Sequence, residues 1–347
     1  MARIAVVLFN LGGPDGVDAV EPFLFNLFAD PAIIAVPQPL RWALAKLIAR
    51  RRAAVARGIY EKLGGGSPLL ANTRAQAAAL EAVLGSGYRV FVAMRYWHPL
   101  AEAAAREVAA WRPERIVLLP LYPQVSTTTT ASSLADWRRA ASRVALAAPA
   151  TTLCCYPQEP DFIAAAASLI SATLGAVPSG LPVRLLLSAH GLPKKIVRAG
   201  DPYEAQVEMT AAAIRVALGR PELETIVCYQ SRVGPLEWIG PATDAEIERA
   251  GRDGMGVVVV PITFVSEHSE TLVELDIEYR HLAERSGVRG YWRVPAVGTH
   301  PAFIAGLARL VRAAGAAPAE ILSATGARIC PESCGRCLLA ASSRLAA

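Results

Sequence analysis

Histidine and carboxylate side chains follow two apolar runs in the second half of the chain. Residues 257–265 are rich in β-branched side chains and predict a buried strand, and His268 and Glu270 come soon after them. His190 follows a second such run, residues 183–187, in the same way. Because open α/β sheets bind ligands at the carboxyl ends of their strands, we expect the three side chains to share a cleft. For either histidine alone, a satisfied polar residue in a loop is the alternative.

A row of carboxylates continues from this point. Glu270, Glu274 and Glu278 recur every four residues, which places them along one face of a predicted helix, with Asp276 between them. Like charges at this spacing repel unless a cation lies beside them. Imidazole with carboxylates suits proton transfer near neutral pH and the binding of borderline divalent ions. The row therefore predicts a path for protons or metal ions, and a solvated acidic face is the alternative for the row by itself.

The elements that must position these residues alternate between strands and helices. At 347 residues the chain is long enough for two domains with cores of their own. The pattern predicts an α/β protein with two Rossmann-like, doubly wound domains whose parallel sheets enclose a cleft. We place an N-terminal domain at residues 1–157, a C-terminal domain at 158–325, and a cysteine-rich segment at 326–347. Strands are predicted at residues 4–9, 88–95, 115–121, 151–155, 183–187, 224–229, 257–265 and 288–293.

Composition excludes several classes of protein. The chain is 53% hydrophobic and 19% charged, which is typical of a compact protein and not of a disordered one. A net charge of +5, evenly spread, does not indicate nucleic acid as a partner. No apolar run reaches the roughly 18 residues of a bilayer span, and the first residues lack a signal-peptide cleavage site. A cytoplasmic protein is expected.

Two segments near the N-terminus raise the question of a membrane or a large flat ligand. Residues 21–36 form an aromatic and aliphatic cluster that is divided by prolines. This cluster indicates an apolar lip over a flat ligand or a membrane surface, and a core helix is the alternative. Residues 41–57 follow as a basic amphipathic helix, which fits either an anionic membrane surface or a solvated basic face.

Several motifs together carry a resemblance to a known family. They are Asn10-Leu-Gly-Gly-Pro14, Gly64-Gly-Gly-Ser-Pro68, Arg95-Tyr-Trp-His-Pro99, Tyr122-Pro-Gln124, Ser188-Ala-His-Gly-Leu-Pro193, Gln230-Ser-Arg-Val-Gly234 with Trp238-Ile-Gly-Pro241, and the run from residue 257 to Tyr279. With these motifs, nearly the whole chain resembles ferrochelatase, the terminal enzyme of haem synthesis. The resemblance implies a lyase that inserts Fe²⁺, as a substrate, into protoporphyrin IX.

The resemblance also assigns residues to roles. His190 would abstract pyrrole protons or help to deliver iron, with Glu270 as its partner, and both would bind the iron. His268, Glu274, Asp276 and Glu278 would form the acidic path, whose direction of traffic is open. Porphyrin contacts are expected from a further set of residues, namely Leu11, Arg95, Tyr96, Tyr122, Ser126, Thr127 and Trp238.

Three cysteines lie within eight residues near the C-terminus, at Cys330, Cys334 and Cys337, and such a cluster is typical of metal ligands. The resemblance implies a [2Fe–2S] cluster, which needs a fourth thiolate. In animal enzymes the fourth ligand follows the Tyr-Pro-Gln motif, where this chain has Thr127. Cys154 or Cys155 is therefore expected to supply it, and Cys228, inside a predicted strand, is less accessible. A zinc site of three cysteines and a histidine is the alternative.

Two other functions are compatible with the sequence. One is the same reaction on coproporphyrin III, although the apolar lip favours the more hydrophobic protoporphyrin. The other is a bilobal protein that binds a tetrapyrrole or metal without catalysis, although an acid–base pair at His190 and Glu270 favours chemistry. The hydrophobic substrate and product predict peripheral contact with the inner face of the cytoplasmic membrane.

Overall fold

The computed structural model of the chain describes residues 2–340. Residues 341–347, the end of the predicted cysteine-rich segment, lie outside the described residues, whereas its three cysteines lie within them. In the described part of the chain nine strands form two parallel sheets. The strands are β1 (Ile4–Asn10), β2 (Tyr88–Met94), β3 (Arg115–Pro120), β4 (Ala150–Leu153), β5 (Val183–His190), β6 (Thr225–Gln230), β7 (Gly256–Pro261), β8 (Tyr291–Arg293) and β9 (Ile321–Leu322).

The helices cover both faces of these sheets. They are α1 (Val20–Phe28), α2 (Gln38–Glu61), α3 (Leu69–Leu84), α4 (Ala101–Trp111), α5 (Thr130–Arg143), α6 (Pro160–Gly175), α7 (Lys194–Arg198), α8 (Tyr203–Leu218), α9 (Thr243–Arg252), α10 (Tyr279–Arg285) and α11 (Pro301–Ala316). A π-helix, Glu270–Glu278, leads directly into α10. None of the described helices is long and apolar enough to cross a membrane.

The first sheet has the order β2-β1-β3-β4-β9 and the second has the order β6-β5-β7-β8. The α/β class with two parallel sheets, predicted from the alternating pattern, is confirmed. Strands β1, β5 and β7 are almost wholly buried, as expected for parallel strands with helices on both faces.

One apolar core is continuous between the two sheets. It runs from Leu8 in the first sheet, through Phe162 of α6 and Phe303 of α11, to Leu187 and Val258 in the second sheet. The chain also returns to its first half, because β9 pairs with β4. Residues 321–322, which the sequence assigns to the C-terminal domain, thus complete the first sheet. A strand of only two apolar residues shows no hydrophobic periodicity, so the sequence pattern could not predict β9.

The predicted apolar lip folds into a hairpin of α1 against α2. Phe23 and Leu24 of α1 are buried in a small core with Tyr60 of α2 and Tyr96. Phe25, Leu27 and Phe28 remain half-buried at its rim and Ile33 is exposed, whereas Leu40, Trp42, Leu47 and Val55 are exposed on α2. The lip thus has a local core and an apolar rim, and its contact with a ligand or a membrane stays a prediction.

The acidic helix departs from ordinary helical geometry. The Tyr279 N–H donates to the Glu274 carbonyl, five residues back, as in a π-helix. At the start of the π-helix, Gln230 Nε2 donates to the Glu270 carbonyl at 3.0 Å. A side chain that takes a helix carbonyl disturbs the regular ladder, and such wide turns are frequent at functional sites.

Candidate active site

His190 ends β5 and is held by its own backbone surroundings. Its Nδ1 lies 2.5 Å from the Gly191 carbonyl, and the Tyr203 hydroxyl donates to the His190 carbonyl at 3.0 Å. Because a carbonyl oxygen can only accept a hydrogen bond, the ring nitrogen must be the donor, and we therefore assign a proton to Nδ1. The basic Nε2 then faces Glu270, and its distance to Glu270 Oε2 is 3.7 Å. The side chain is 41% exposed, so a substrate can reach it.

His268 approaches the same carboxylate oxygen of Glu270. Its Nε2 lies 4.0 Å from Glu270 Oε2, and its Nδ1 lies 3.1 Å from the Ser266 carbonyl. Burial lowers the pKa of His268 and outweighs the charge of Glu270, which acts in the opposite direction. His268 is therefore neutral near pH 7. The structure brings together the two histidines and the glutamate, although His268 comes seven residues after the end of β7.

Glu274 lies next along the π-helix and is tightly held. It accepts from Gln230 Nε2 at 3.0 Å, from the Ser231 backbone N–H at 2.8 Å and from the Tyr279 hydroxyl at 3.1 Å. The Ser231 hydroxyl contacts both carboxylates, at 2.5 Å from Glu274 and 3.3 Å from Glu270. Burial, followed by the charge of Glu270, raises the pKa of Glu274 above its ordinary value.

Sequence reasoning did not single out Ser231 as a site residue. Its φ of 60° lies in the left-handed region, which is uncommon for a residue other than glycine and marks a strained loop. No periodic pattern reports a backbone angle. The available signals are its position directly after a strand, β6, and its place in the motif Gln230-Ser-Arg-Val-Gly234.

The last two carboxylates of the row have cationic partners. Asp276 lies 2.8 Å from Arg293 and 3.9 Å from Arg280, and Glu278 lies 3.9 Å from Lys62 in the N-terminal domain. Arg293 also binds Glu267 at 2.8 Å. The repulsion expected within the row is thus compensated at its far end, while Glu270 and Glu274 share a serine.

The N-terminal domain contributes a tyrosine to this site. The Tyr60 hydroxyl interacts with Ser269 and lies close enough to Glu270 to feel its charge. Burial, opposed by Ser269 and reinforced by Glu270, raises the pKa of Tyr60 to about 12. Sequence reasoning missed this residue. The signal in the sequence was that Tyr60 lies on the same face of α2 as the small side chains Ala49 and Ala53, which are buried.

Arg95 and Tyr96 have partners inside the N-terminal domain. Asp30, 3% exposed, lies 2.8 Å from Arg95 Nη2, accepts from the Tyr96 hydroxyl at 2.7 Å and binds the Ser132 hydroxyl. Burial raises the pKa of Asp30, but the hydrogen bonds from Ser132 and Ala32 and the charge of Arg95 bring it below its ordinary value. These contacts occupy polar groups of both predicted porphyrin contacts, whose role stays a prediction.

The remaining predicted porphyrin contacts are spread over both domains. Ser126 and Thr127 donate to Asp201, at 3.0 Å and 2.5 Å from their hydroxyls. Trp238 packs against Gly191, next to His190, since a Cβ on Gly191 would lie 3.2 Å from its ring. Two others, Leu11 and Tyr122, are half-buried. Trp238 therefore lies beside the residue that follows His190, and its role as a porphyrin contact stays a prediction.

Five of the six cysteines form two neighbouring buried groups, Cys154 with Cys155 and Cys330 with Cys334 and Cys337. Cys154 Sγ and Cys155 Sγ are 3.2 Å apart, and Cys330 Sγ accepts from Gln206 Nε2 at 3.2 Å. A hydrogen bond from Cys330 lowers the pKa of Cys337 to about 6 against the effect of burial. The hydrogen bond with Cys155, burial and the nearby Cys337 and Cys330 raise the pKa of Cys154. Among residues 2–340, no three His, Cys, Asp or Glu side chains are grouped closely enough to hold a metal ion.

The sequence matches a known protein family over most of its length. The family model described as ferrochelatase matches residues 3–314. The chain is 55% identical over 332 residues to a ferrochelatase of Caulobacter vibrioides (94% of each chain) and 54% identical over 345 residues to one of Phenylobacterium zucineum (96% of this chain, 97% of that one).

Solved structures of similar fold include SirB from Bacillus subtilis with Fe³⁺, with a TM-score of 0.51 and 14% identity over 91% of this chain and 96% of that one. The sirohydrochlorin chelatase SirB from Bacillus subtilis subspecies spizizenii in complex with cobalt has a TM-score of 0.52 and 12% identity over 92% and 97%. At this identity the likeness supports the two-domain fold alone.

Proposed function

Because the chain belongs to the ferrochelatase family, we propose that it inserts Fe²⁺ into protoporphyrin IX and releases two protons, in the last step of haem synthesis. The enzyme class, a lyase that inserts a metal ion into a porphyrin, follows from the family. The choice of protoporphyrin is our own proposal. The observation that carries the mechanism is the approach of two imidazole Nε2 atoms, His190 and His268, to one oxygen of Glu270.

This arrangement provides what metal insertion requires. Two pyrrole N–H protons must leave the macrocycle while the iron forms bonds to the nitrogens. His190 is half-exposed with a free basic nitrogen, so it accepts a pyrrole proton and passes it to Glu270. The imidazole of His268 and the side chain of Glu270 also suit a transient Fe²⁺, which binds imidazole and carboxylate ligands.

Protons then leave through Glu274. The raised pKa of Glu274 suits a group that takes up a proton. The Ser231 hydroxyl contacts both Glu270 and Glu274 and can relay a proton from one carboxylate to the other. Glu278, beside Lys62 and half-exposed, lies at the outer end of the same row. Asp276, paired with Arg293, supports the row from its side.

The porphyrin binds next to Trp238, whose ring packs against Gly191, the residue after His190. We favour protoporphyrin over coproporphyrin III because the apolar lip, residues 21–36, leaves Phe25, Leu27 and Phe28 half-buried and Ile33 exposed. These side chains suit a substrate with fewer carboxylates.

The test is a metal-insertion assay with purified protein. Fe²⁺ or Zn²⁺ and protoporphyrin IX should give the metalloporphyrin, followed by absorbance or fluorescence, and coproporphyrin III should react more slowly. A strong preference for coproporphyrin would overturn the substrate choice. Binding of either porphyrin without insertion of metal would favour the non-catalytic alternative.

We further propose a [2Fe–2S] cluster held by Cys330, Cys334, Cys337 and either Cys154 or Cys155. The donor set supports this proposal, because five buried free thiols lie in two chain segments, Cys154 with Cys155 and Cys330 with Cys334 and Cys337, and Cys330 and Cys337 are near enough to raise the pKa of Cys154. Iron–sulfur clusters take four thiolates, and the low pKa of Cys337 favours a ligand. The spacing of the thiols among the described residues does not form a complete metal site.

Anaerobic purification followed by visible absorption and iron and sulfide analysis tests the cluster. Cys337→Ala should remove the colour, whereas Cys228→Ala should keep it, because Cys228 lies inside β6 beside Thr243. Colourless protein that contains zinc would refute the cluster and favour a zinc site.

Finally, we propose a cytoplasmic protein that contacts the inner face of the membrane through α2. Leu40, Trp42 and Leu47 are exposed on this helix, next to Lys46 and Arg50. Apolar and cationic side chains together bind anionic bilayers. Co-sedimentation with phosphatidylglycerol vesicles should fall when Trp42 is changed to Ser, and an unchanged bound fraction would contradict the proposal.

A further inference from the structure

Two amides of α3 reach across to the C-terminal domain. Gln76 is completely buried and lies one helical turn after Asn72 on the same face. The Gln76 Nε2 group donates to the Val265 carbonyl at 2.8 Å and to the Gly298 carbonyl at 3.0 Å. Its Oε1 accepts from the Ser266 hydroxyl at 2.8 Å.

Asn72 adds one more bond to the same segment. Its Nδ2 donates to the Glu267 carbonyl at 2.9 Å. Three consecutive residues of the C-terminal domain, 265–267, are thus each bound by an amide side chain of the N-terminal domain. Both N–H groups and the oxygen of Gln76 are used, so no other orientation of this side chain satisfies the same partners.

The bound segment comes directly before the histidine and glutamate of the site. The Ser266 carbonyl contacts His268 Nδ1 at 3.1 Å, which leaves Nε2 turned toward Glu270. The His268 backbone N–H in turn donates to Thr271 Oγ1 at 3.0 Å, at the start of the π-helix. The position of Ser266 therefore determines the tautomer and direction of the His268 ring.

The same helix, α3, is also bound to the first sheet. α3 follows the glycine-rich loop of the N-terminal domain, and its Thr73 binds Asn10 at the end of β1 at 3.0 Å. α3 thus connects the end of β1 to residues 265–267 through hydrogen bonds. General packing would need no such set of directed bonds.

We propose that Gln76, assisted by Asn72, is a positioning residue that holds residues 265–267 so that His268 presents Nε2 to Glu270 and to the substrate metal or proton. It acts through Ser266 and touches no substrate. The role in turnover rests on the proposed function, whereas the effect on the His268 ring does not.

The substitution Gln76→Met tests the proposal, because methionine has nearly the same length but makes none of the three bonds. We expect kcat for zinc insertion into protoporphyrin to fall by about 10- to 100-fold, the range typical of residues that orient a ligand from behind. KM for the porphyrin should stay within about twofold, since the porphyrin is not contacted. In ¹⁵N-histidine NMR, the His268 signal, assigned with His268→Asn, should change from the single Nδ1-protonated tautomer to a mixture.

Two variants serve as matched controls. Gln124→Met removes a second buried amide between the domains, which binds Thr210 and Ile262 and does not touch residues 265–268. Arg74→Ala changes an exposed side chain of the same helix. Both should keep the His268 tautomer, and thermal unfolding should show that Gln76→Met and Gln124→Met are similarly folded.

An unchanged tautomer in Gln76→Met, or a kcat equal to that of Gln124→Met, would overturn the positioning role. If the wild-type protein inserts no metal, the proposed function fails. The NMR comparison then still decides whether Gln76 orients His268.

Discussion

Replacement of His190 by alanine gives a direct test of the site. The imidazole has one basic nitrogen, Nε2, that lies 3.7 Å from Glu270 and is open to solvent, and alanine removes it without changing the end of β5. Loss of a general base lowers rates by about 10²–10⁴. Because His268 and Glu270 remain within reach as substitute bases, we expect the lower part of this range, about 100- to 1,000-fold in kcat. This loss corresponds to roughly 3–4 kcal/mol in the barrier.

The assay is zinc insertion into protoporphyrin under saturating porphyrin, with fluorescence quenching as a separate measure of porphyrin binding. Binding should be retained, and added imidazole should restore part of the activity of His190→Ala by entering the space of the lost ring. His281→Ala, on the exposed side of α10, provides the matched control and should keep full activity.

Glu270→Gln refines the interpretation. If His190 passes its proton to Glu270, the double variant should be little worse than the more impaired single variant, because groups that act as a unit are not additive. Turnover of His190→Ala within twofold of the wild type would refute the reasoning. Loss of porphyrin binding together with turnover would instead assign His190 a role in binding.

Three further predictions concern charge, hydrogen bonding and packing. The pKa of Asp30 is depressed in the folded protein, so the stabilisation by its carboxylate is present above the unfolded pKa near 4 and is lost as the pH falls through the folded pKa. Asp30→Asn should therefore lower the free energy of unfolding at pH 7 by about 2 kcal/mol and make that free energy decline less steeply in acid. An unchanged acid dependence in urea unfolding would contradict this. Ser231→Ala removes a hydrogen bond that lowers the pKa of Glu274, so the pKa of Glu274 should rise and the acid limb of the pH–rate profile should move to higher pH. An acid limb that does not move would exclude a role of Ser231 in the proton relay. Gly251→Ala would place a Cβ against the Ser286 carbonyl, beyond α10, and should lower the free energy of unfolding in urea by about 2 kcal/mol. Gly58→Ala, at a position with open space, should leave the free energy of unfolding unchanged. Equal stability of the two variants would refute the packing argument.

The fold class was accessible from the sequence because it depends on local patterns. Apolar runs such as residues 257–260 are buried on both faces of a parallel sheet, and this requirement is visible in a single strand. Several strands were placed to within a few residues, β1 and β5 among them. The meeting of His190 with His268 followed from the rule that polar residues after parallel strands share one edge.

Other features depend on partners far away in the chain. The π-helix at Glu270 arises where Gln230, forty residues earlier, takes a helix carbonyl. β9 joins the first sheet only because α11 brings the chain back to β4. Neither event leaves a periodic pattern, since each is decided by a contact between elements and not by the residues of one element.

The sequence by itself determined that this chain is an α/β protein with the histidines and carboxylates of a chelatase after its strands. Only the tertiary structure decided that Tyr60 and Gln76 of the N-terminal domain reach residues 265–270, and that Arg95 is bound by Asp30. The physical reason is the range of the interactions. Hydrophobic periodicity acts over a few residues, whereas hydrogen bonds and charges act between whichever groups the fold places within a few ångströms.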